Sequence, residues 1–487
     1  MNILYHSRFM KKIVIIFSLL VLLIAALSAQ NVTLKGKATG VEGKKLDVFA
    51  WSDQLTYKQT KIASGKIDSA GKFNFSFKTG ETIFTYLKVD FNQAPLYIEP
   101  GKTYDLSISC PDCNSPDDKT NSYLDPKRLS VVISNYDSTE LNNCIIQFNA
   151  DYDSFIWNNY ISLTRQRNKS KIDAFKTNVN KRFGSVKNEY LSNFIRYRIA
   201  TIEQMAQISG SETISKKYLW KQPVLYNNIG YMEFFNEFFK SYIISESEYI
   251  TKNDLYRTIN QEKSFPALMD SLGKDSILRN EVVRELVALK GLGEMYYSPD
   301  FDKTAILGMF RYVSEKSKFP QHRLAATNYM NFLTKLATGT IAPAFTLKDF
   351  NGQKYSLYEF NKDKYVYLIF WTTWCVPCIA EMDLIGKLKE KYGTKVEFVG
   401  ISTDKEFLTY YYFMQNNQKF SFTTLHWGNN TDLMENYNVK AYPTFILIGP
   451  DGKIVQSPAE PPSEKLDEFL YDLTKIKKNE TKGILNK

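Results

Sequence analysis

Cys375 and Cys378 stand three positions apart in the stretch WTTWCVPC, Trp371 to Cys378, of a chain of 487 residues with only five cysteines. Two thiols at that spacing can close a small disulfide ring, supply half of a metal site, or exchange disulfides with another molecule. A structural zinc site takes four ligands. No second pair stands at suitable spacing, and the three histidines, His6, His322 and His426, are isolated from one another. Disulfide exchange is therefore the leading chemistry and a metal site is not expected. Exchange needs a thiolate, so one cysteine must sit where its pKa falls below ~8.5.

A helix N-terminus lowers a thiol pKa through unpaired amide hydrogens and the positive end of the dipole. The flanking residues predict such a place. YVYLIFW, Tyr365 to Trp371, is a continuous apolar run of the kind buried on both faces of a parallel sheet. Helical spacing continues from Ile379 to Tyr392. Cys375 then falls in the first turn, where it would attack a substrate disulfide, and Cys378 would resolve the mixed disulfide. Upstream, AFTLKDFNGQKYSL predicts a hairpin turning at Asn351-Gly352. Downstream come a strand at VEFVGIS, a helix near Phe407 to Met414, strands at TFILIG and KIVQS, and an amphipathic helix from about Ser463 to Ile476. This is an α/β plan.

On these residues the segment from about Thr340 to Lys477 resembles a thioredoxin-fold module of the TlpA/ResA type, exported thiol-disulfide oxidoreductases, with FWTTWCVPC at the place of that family's active-site motif. VKAYPTFILIG puts Tyr442-Pro443-Thr444 where the family has its cis-proline loop. The resemblance implies a cis bond before Pro443, substrate contacts from Tyr442 and Pro443, and a groove shaped by Trp374 and Pro377. It also implicates Glu381, one helical turn after Cys378, in proton handling; the plain alternative is an exposed helix glutamate. Thioredoxin carries a buried aspartate two positions before the first tryptophan of its motif, and here Ile369 holds that position. Pro377 precedes the resolving cysteine as in reductive members, which leans the reading toward a protein-disulfide reductase. The implied cofactor is none beyond the redox-active Cys375–Cys378 disulfide. The implied partners are disulfide-containing or thiol client proteins, apocytochromes among them, and a membrane electron donor.

Two rivals stay open. A peroxiredoxin-like peroxidase has an opening segment similar to APAFTLKDFNG and a threonine placed as Thr372 is, but Leu368 stands where its active-site proline would be. A non-catalytic periplasmic interaction protein would use the other regions and leave the cysteines passive. A second CxxC, Cys110 to Cys113, ends a predicted β-segment and runs into polar residues, which favours a structural disulfide or loop clip over a redox or metal centre. Cys144 could pair with either member.

The rest of the chain makes the protein multidomain. Lys11 and Lys12 precede the apolar run Ile13 to Leu27 and then Ser28 and Ala29, the layout of a secretory signal peptide over residues 1–29. The run is shorter than the ~20 residues of a membrane span, so export to the periplasm as a soluble chain is expected. Residues 30–120 show period-2 alternation in LDVFAW, KFNFSF, TYLKVDF and YDLSIS between turn residues, an N-terminal antiparallel β-domain that resembles a β-rich family found before exported thioredoxin-like modules. Residues 121–337 carry helical spacing, clearest in GYMEFFNEFFKSY, whose aromatics at Tyr231, Phe234, Phe235, Phe238, Phe239 and Tyr242 line one face. Residues 338–487 hold the thioredoxin-like domain. The formal charge is +10, or +7 without Arg8, Lys11 and Lys12, with acids interspersed, so no nucleic-acid partner is expected. The sequence sets no oligomeric state.

Overall fold

The computed structural model describes residues 29–110, 128–135 and 137–484. They divide into two compact units, one holding described residues up to 110 and 128–330, the other residues 331–484. The apolar run Ile13 to Leu27, and with it the signal-peptide expectation, lies outside the described residues.

The first unit opens with β1 (Gln30–Thr39), β2 (Lys45–Trp51), β3 (Gln59–Lys66), β4 (Lys72–Thr79), β5 (Ile83–Val89), β6 (Asn92–Ile98), β7 (Thr103–Ser109) and β8 (Ser130–Ile133). They make two four-stranded sheets, ordered β4-β1-β7-β8 and β3-β2-β5-β6. The alternation turns Val32, Leu34, Val48, Leu87, Leu96 and Leu106 into one core. The sequence expectation needs two corrections. β1 pairs parallel with β7, from Thr33↔Thr103 to Thr39↔Ser109, because the intervening strands supply the long crossover a parallel pair requires. β8 lies past residue 120, so strand structure continues into the stretch expected to be helical.

Helices come next: α1 (Leu141–Thr164), α2 (Lys169–Phe183), α3 (Glu189–Met205), α4 (Ser211–Tyr218), α5 (Ile229–Phe238), α6 (Lys252–Tyr256), α7 (Phe265–Leu272), α8 (Glu281–Met295), α9 (Lys303–Lys316) and α10 (Pro320–Thr334). All six aromatics of the α5 stripe, through Tyr242, are buried, so that face is core. The β and helical regions are one unit and not two. Asn142 of α1 accepts the Tyr97 backbone N–H at 2.7 Å and donates to the Tyr97 carbonyl at 2.8 Å, replacing a missing strand partner at the β6 edge.

The second unit has β9 (Thr346–Lys348), β10 (Lys354–Ser356), α11 (Leu357–Phe360), β11 (Tyr365–Trp371), α12 (Val376–Tyr392), β12 (Val396–Ser402), α13 (Phe407–Asn416), β13 (Thr423–His426), α14 (Thr431–Asn436), β14 (Thr444–Ile448), β15 (Ile454–Gln456) and α15 (Leu466–Ile484). Its sheet is ordered β10-β9-β13-β12-β11-β14-β15. β11 is central, parallel to β12 and antiparallel to β14, and every residue from Val366 to Trp371 is buried. The β9–β10 hairpin turns where Asn351-Gly352 predicts: Gly352 sits at φ +84°, and the Asp349 carboxylate accepts the N–H groups of Asn351 and Gln353. Among the described residues no helix is long and apolar enough to cross a membrane.

Candidate active site

The central strand ends at Trp371 and α12 begins at Val376, so the four residues between them carry the first cysteine from the sheet to the helix. Cys375 is the N-cap, at φ −81° and ψ 94°, and its sulfur accepts the Cys378 backbone N–H at 3.2 Å. A sulfur thus takes the place that a serine or aspartate oxygen usually fills. Cys375 and Cys378 are joined in a disulfide with Cα atoms 5.2 Å apart. Pro377 falls in the first turn, where its missing N–H has no partner to lose. At the other end Gly393 caps the helix, and Lys389 and Lys391 in the last turn complement the dipole.

Packing fixes the helix. Cys378, Met382, Ile385, Leu388 and Tyr392 form one buried face against Tyr367, Ile369 and Trp371 of β11. Each of the aliphatic members contributes roughly 1.5–3 kcal/mol through burial. Cys378 is fully buried and Cys375 is 5% exposed, whereas Trp374 and Val376 are 42% and 78% exposed.

The proline loop arrives through sheet register. Thr444 pairs with Phe370 in the antiparallel β11–β14 ladder, so the residues just before Thr444 lie beside the end of β11. The Tyr442–Pro443 bond is cis. The Tyr442 ring meets Trp374 edge to face, centroids 6.1 Å apart. The Thr403 hydroxyl bridges the Trp371 carbonyl and the Tyr442 hydroxyl, which ties the loop to the strand end.

Glu381 lies one turn beyond Cys378 as expected, but both of its oxygens are occupied. They accept the Ser463 N–H at 2.9 Å and the Ser463 hydroxyl at 2.6 Å, in the turn before α15.

Sequence reasoning missed a buried polar cluster under the motif. Asp404 is 3% exposed. Its carboxylate accepts the Thr373 N–H at 3.1 Å on each oxygen, the Thr373 hydroxyl at 2.8 Å and the Ser402 hydroxyl at 2.7 Å. Burial pushes the Asp404 carboxyl up, and the donors from Ser402 and Thr373 oppose that. The Asp404 carbonyl accepts Trp427 Nε1–H and His426 Nε2–H, each at 2.8 Å, while His426 Nδ1 accepts the Gly428 N–H at 3.1 Å. Those bonds assign a neutral ring with its proton on Nε2. Burial holds the His426 pKa below its ordinary value. The signal that could have found this cluster is Ser402-Thr403-Asp404, three polar residues at the carboxyl end of a buried strand, where open α/β sheets build their sites. The Thr372 hydroxyl is also buried, with no hydrogen-bond partner among the described residues.

Cys110 and Cys144 belong to the first unit. Cys110 is disulfide-bonded, and Cys113 lies outside the described residues. Cys144 is a free buried thiol whose pKa burial pushes up, so it pairs with neither. His322 is buried in the first unit between Glu285 and Tyr226.

The AhpC/TSA family model matches residues 338–457. The thiol-disulfide oxidoreductase ResA of Bacillus thuringiensis subsp. konkukian (strain 97-27) is 35% identical over 154 residues, 30% of this chain and 87% of the relative. ResA of Bacillus subtilis (strain 168) is 30% identical over 149 residues, 30% of this chain and 80% of that one. A crystal structure of the thioredoxin domain of a thiol-disulfide oxidoreductase from Bacteroides vulgatus is 28% identical and covers 29% of this chain and 98% of that chain, with a TM-score of 0.26. By its C-terminal thioredoxin-fold domain, the chain belongs to the ResA family of thiol-disulfide oxidoreductases.

Proposed function

We propose that this is an exported, periplasmic protein-disulfide reductase acting through the Cys375–Cys378 dithiol. In the reduced form the Cys375 thiolate attacks one sulfur of a client disulfide. The Cys375–client bond forms, the client S–S bond breaks, and the departing client thiolate takes a proton. Cys378 gives up its proton, attacks the Cys375 sulfur and releases the second client thiol. The client gains two electrons, and the chain is left with the disulfide. No cofactor beyond this dithiol enters the balance. Glu381 accepts the Cys378 proton, with Ser463 fixing the direction of its carboxylate. Trp374, Pro377, Tyr442 and Pro443 form the wall against which the client strand lies. A membrane electron donor returns the disulfide to the dithiol, and exported thiol proteins, apocytochromes among them, are the clients.

The observation that carries this reading is the Cys375 sulfur at the N-cap of α12, accepting an amide N–H where a thiolate is favoured. Titration of the dithiol against a reference dithiol buffer tests it. A potential near the ~−270 mV of thioredoxin fits a reductase, a value near ~−120 mV would make the chain an oxidant, and no reversible two-electron titration would end the redox reading.

The AhpC/TSA match and the buried Thr372 hydroxyl favour one second reading, a peroxidase. Hydrogen peroxide consumption that proceeds faster than client-disulfide reduction would select it. Chain variants with Cys378→Ser that trap no disulfide-linked client in cells would favour a passive interaction protein instead.

A further inference from the structure

Helix α1 carries apolar residues on two faces. One packs Leu141, Ile145, Phe148, Tyr152 and Leu163 into the core. The other carries Ile146, Trp157, Tyr160 and Ile161, which are 68%, 86%, 56% and 62% exposed. Their spacings of eleven, three and one residues make one stripe, about 22 Å long at 1.5 Å per residue. Single exposed apolar side chains are ordinary, whereas four on one helix face, one of them a nearly bare tryptophan, make that face a candidate interaction surface.

The charges just beyond the stripe identify its partner. One turn past Ile161 the connection to α2 carries Arg165 and Arg167 and the first turn of α2 carries Lys169 and Lys171, all exposed, with no acid from residue 162 to residue 172. Arg165, Lys169 and Lys171 have no ion pair among the described residues, and Arg167 bonds only the neutral Gln207 there, at 2.9 Å. Asp173 is engaged by Lys176, and the stripe itself holds one acid, Asp153. Lys169 and Lys171 also occupy the first turn of α2, which has no acidic residue to answer the positive end of its dipole. Intramolecularly that placement is unfavourable, and an external anion relieves it.

We propose that this face of α1 and the basic connection after it form a docking surface for an anionic lipid bilayer. Trp157 and Tyr160 sit at the headgroup level, Ile146 and Ile161 enter the acyl boundary, and the four cations meet lipid phosphates. A second copy of the chain or an apolar protein surface would cover the stripe but would leave the cations unanswered.

The test uses the chain from Gln30 onward, because the apolar run Ile13 to Leu27 would partition by itself. It is sedimented with vesicles of phosphatidylcholine alone or mixed with phosphatidylglycerol. Binding is expected only with the anionic vesicles and should weaken as salt rises. The double variant Trp157→Ser, Ile161→Ser should lose about tenfold or more in partitioning. Arg165→Gln and Lys169→Gln should each cost roughly fivefold. Unfolding midpoint and client-disulfide reduction should stay at wild-type values in all of these, since none of the residues lies in the second unit. Failure to sediment with either vesicle would overturn the proposal, as would equal binding to both or no effect of the double variant. If sedimentation equilibrium shows a dimer that the double variant abolishes, the stripe is instead an interface between copies of this chain.

Discussion

Glu381→Gln separates the anchoring of the turn before α15 from the proton-handling role proposed for the same carboxylate. In the disulfide form Glu381 holds the turn before α15 by accepting twice from Ser463. Glutamine keeps one acceptor oxygen and presents an amide nitrogen to the other donor, so one bond is lost; alanine loses both. A hydrogen bond to a charged group is worth roughly 1.5–3 kcal/mol when shielded, and Ser463 is exposed, so about 1 kcal/mol for Gln and about 2 kcal/mol for Ala are the expected stability losses. The chemical job depends on a group that can take a proton, which neither variant has. General base assistance is worth on the order of 10²–10⁴ in a closed site, but water reaches Glu381, so roughly tenfold is expected for the resolution step. Denaturant unfolding of the disulfide form gives the first quantity. Stopped-flow release of a client thiol from the Cys375 mixed disulfide gives the second. The two variants should differ in stability and agree in rate. If Glu381→Gln resolves at the wild-type rate, or if the rates track the unfolding midpoints, the proton-handling role is refuted and Glu381 only anchors the turn.

The buried cluster predicts opposite pH effects from its two titratable members. Because burial raises the Asp404 carboxyl above its ordinary 3.8, the stability it contributes is full below that pH and is lost as pH rises through the folded value; Asp404→Asn should flatten this part of a midpoint-against-pH curve, and an unchanged slope would refute it. Burial lowers the His426 pKa from 6.5, so its contribution is present above that pH and is lost as pH falls through the folded value; His426→Gln should remove that acid-side loss in the same experiment, and a persisting loss would place its origin elsewhere. Cys378→Ser should accumulate a mixed disulfide between Cys375 and a client, visible on non-reducing gels, and Cys375→Ser should accumulate none; trapping by Cys375→Ser and not by Cys378→Ser would reverse the assignment of nucleophile and resolver. Trp374→Ala, at a residue 42% exposed, should raise KM for a protein client several-fold with an unchanged unfolding midpoint, and a fall in kcat alone would count against a groove role.

The features legible in the sequence were local. Trp371-to-Cys378 and the apolar run before it encode a strand, a turn and a helix N-terminus within a few residues, and Asn351-Gly352 encodes its own hairpin through one positive φ and an Asp349 side chain. The four-residue strand at Thr423–His426 carries no readable signal because so short a segment has no periodicity to detect, although it forms the parallel neighbour of β12. The parallel pairing of β1 with β7 is hidden for another reason: alternation reports which face a side chain takes, not which strand lies alongside. Asp404 follows a strand the sequence shows, but its partner is distant in the chain. It lies 29 residues from Cys375 in sequence and meets the motif only because β12 runs parallel to β11, which brings Ser402 into register with Trp371.

That register explains how the site sets Cys378 in the helix face packed on β11 and Cys375 at the turn between strand and helix. Cys378 belongs to the helix face that packs on β11, so its position is set by apolar burial and it needs to reach only Cys375. Cys375 lies one residue outside the helix, at the turn between strand and helix. The backbone of that turn is held by directional bonds, Thr373 to Asp404 below and the Thr403 bridge to Tyr442 beside it. Apolar packing alone would have demanded side chains on every side of the nucleophile. Hydrogen bonds from beneath and from one flank fix the backbone while leaving Trp374 and Val376 exposed on either side of Cys375. On the proposed reading Cys375 is the nucleophile, and the buried Asp404 carboxylate fixes the backbone of its turn through Thr373.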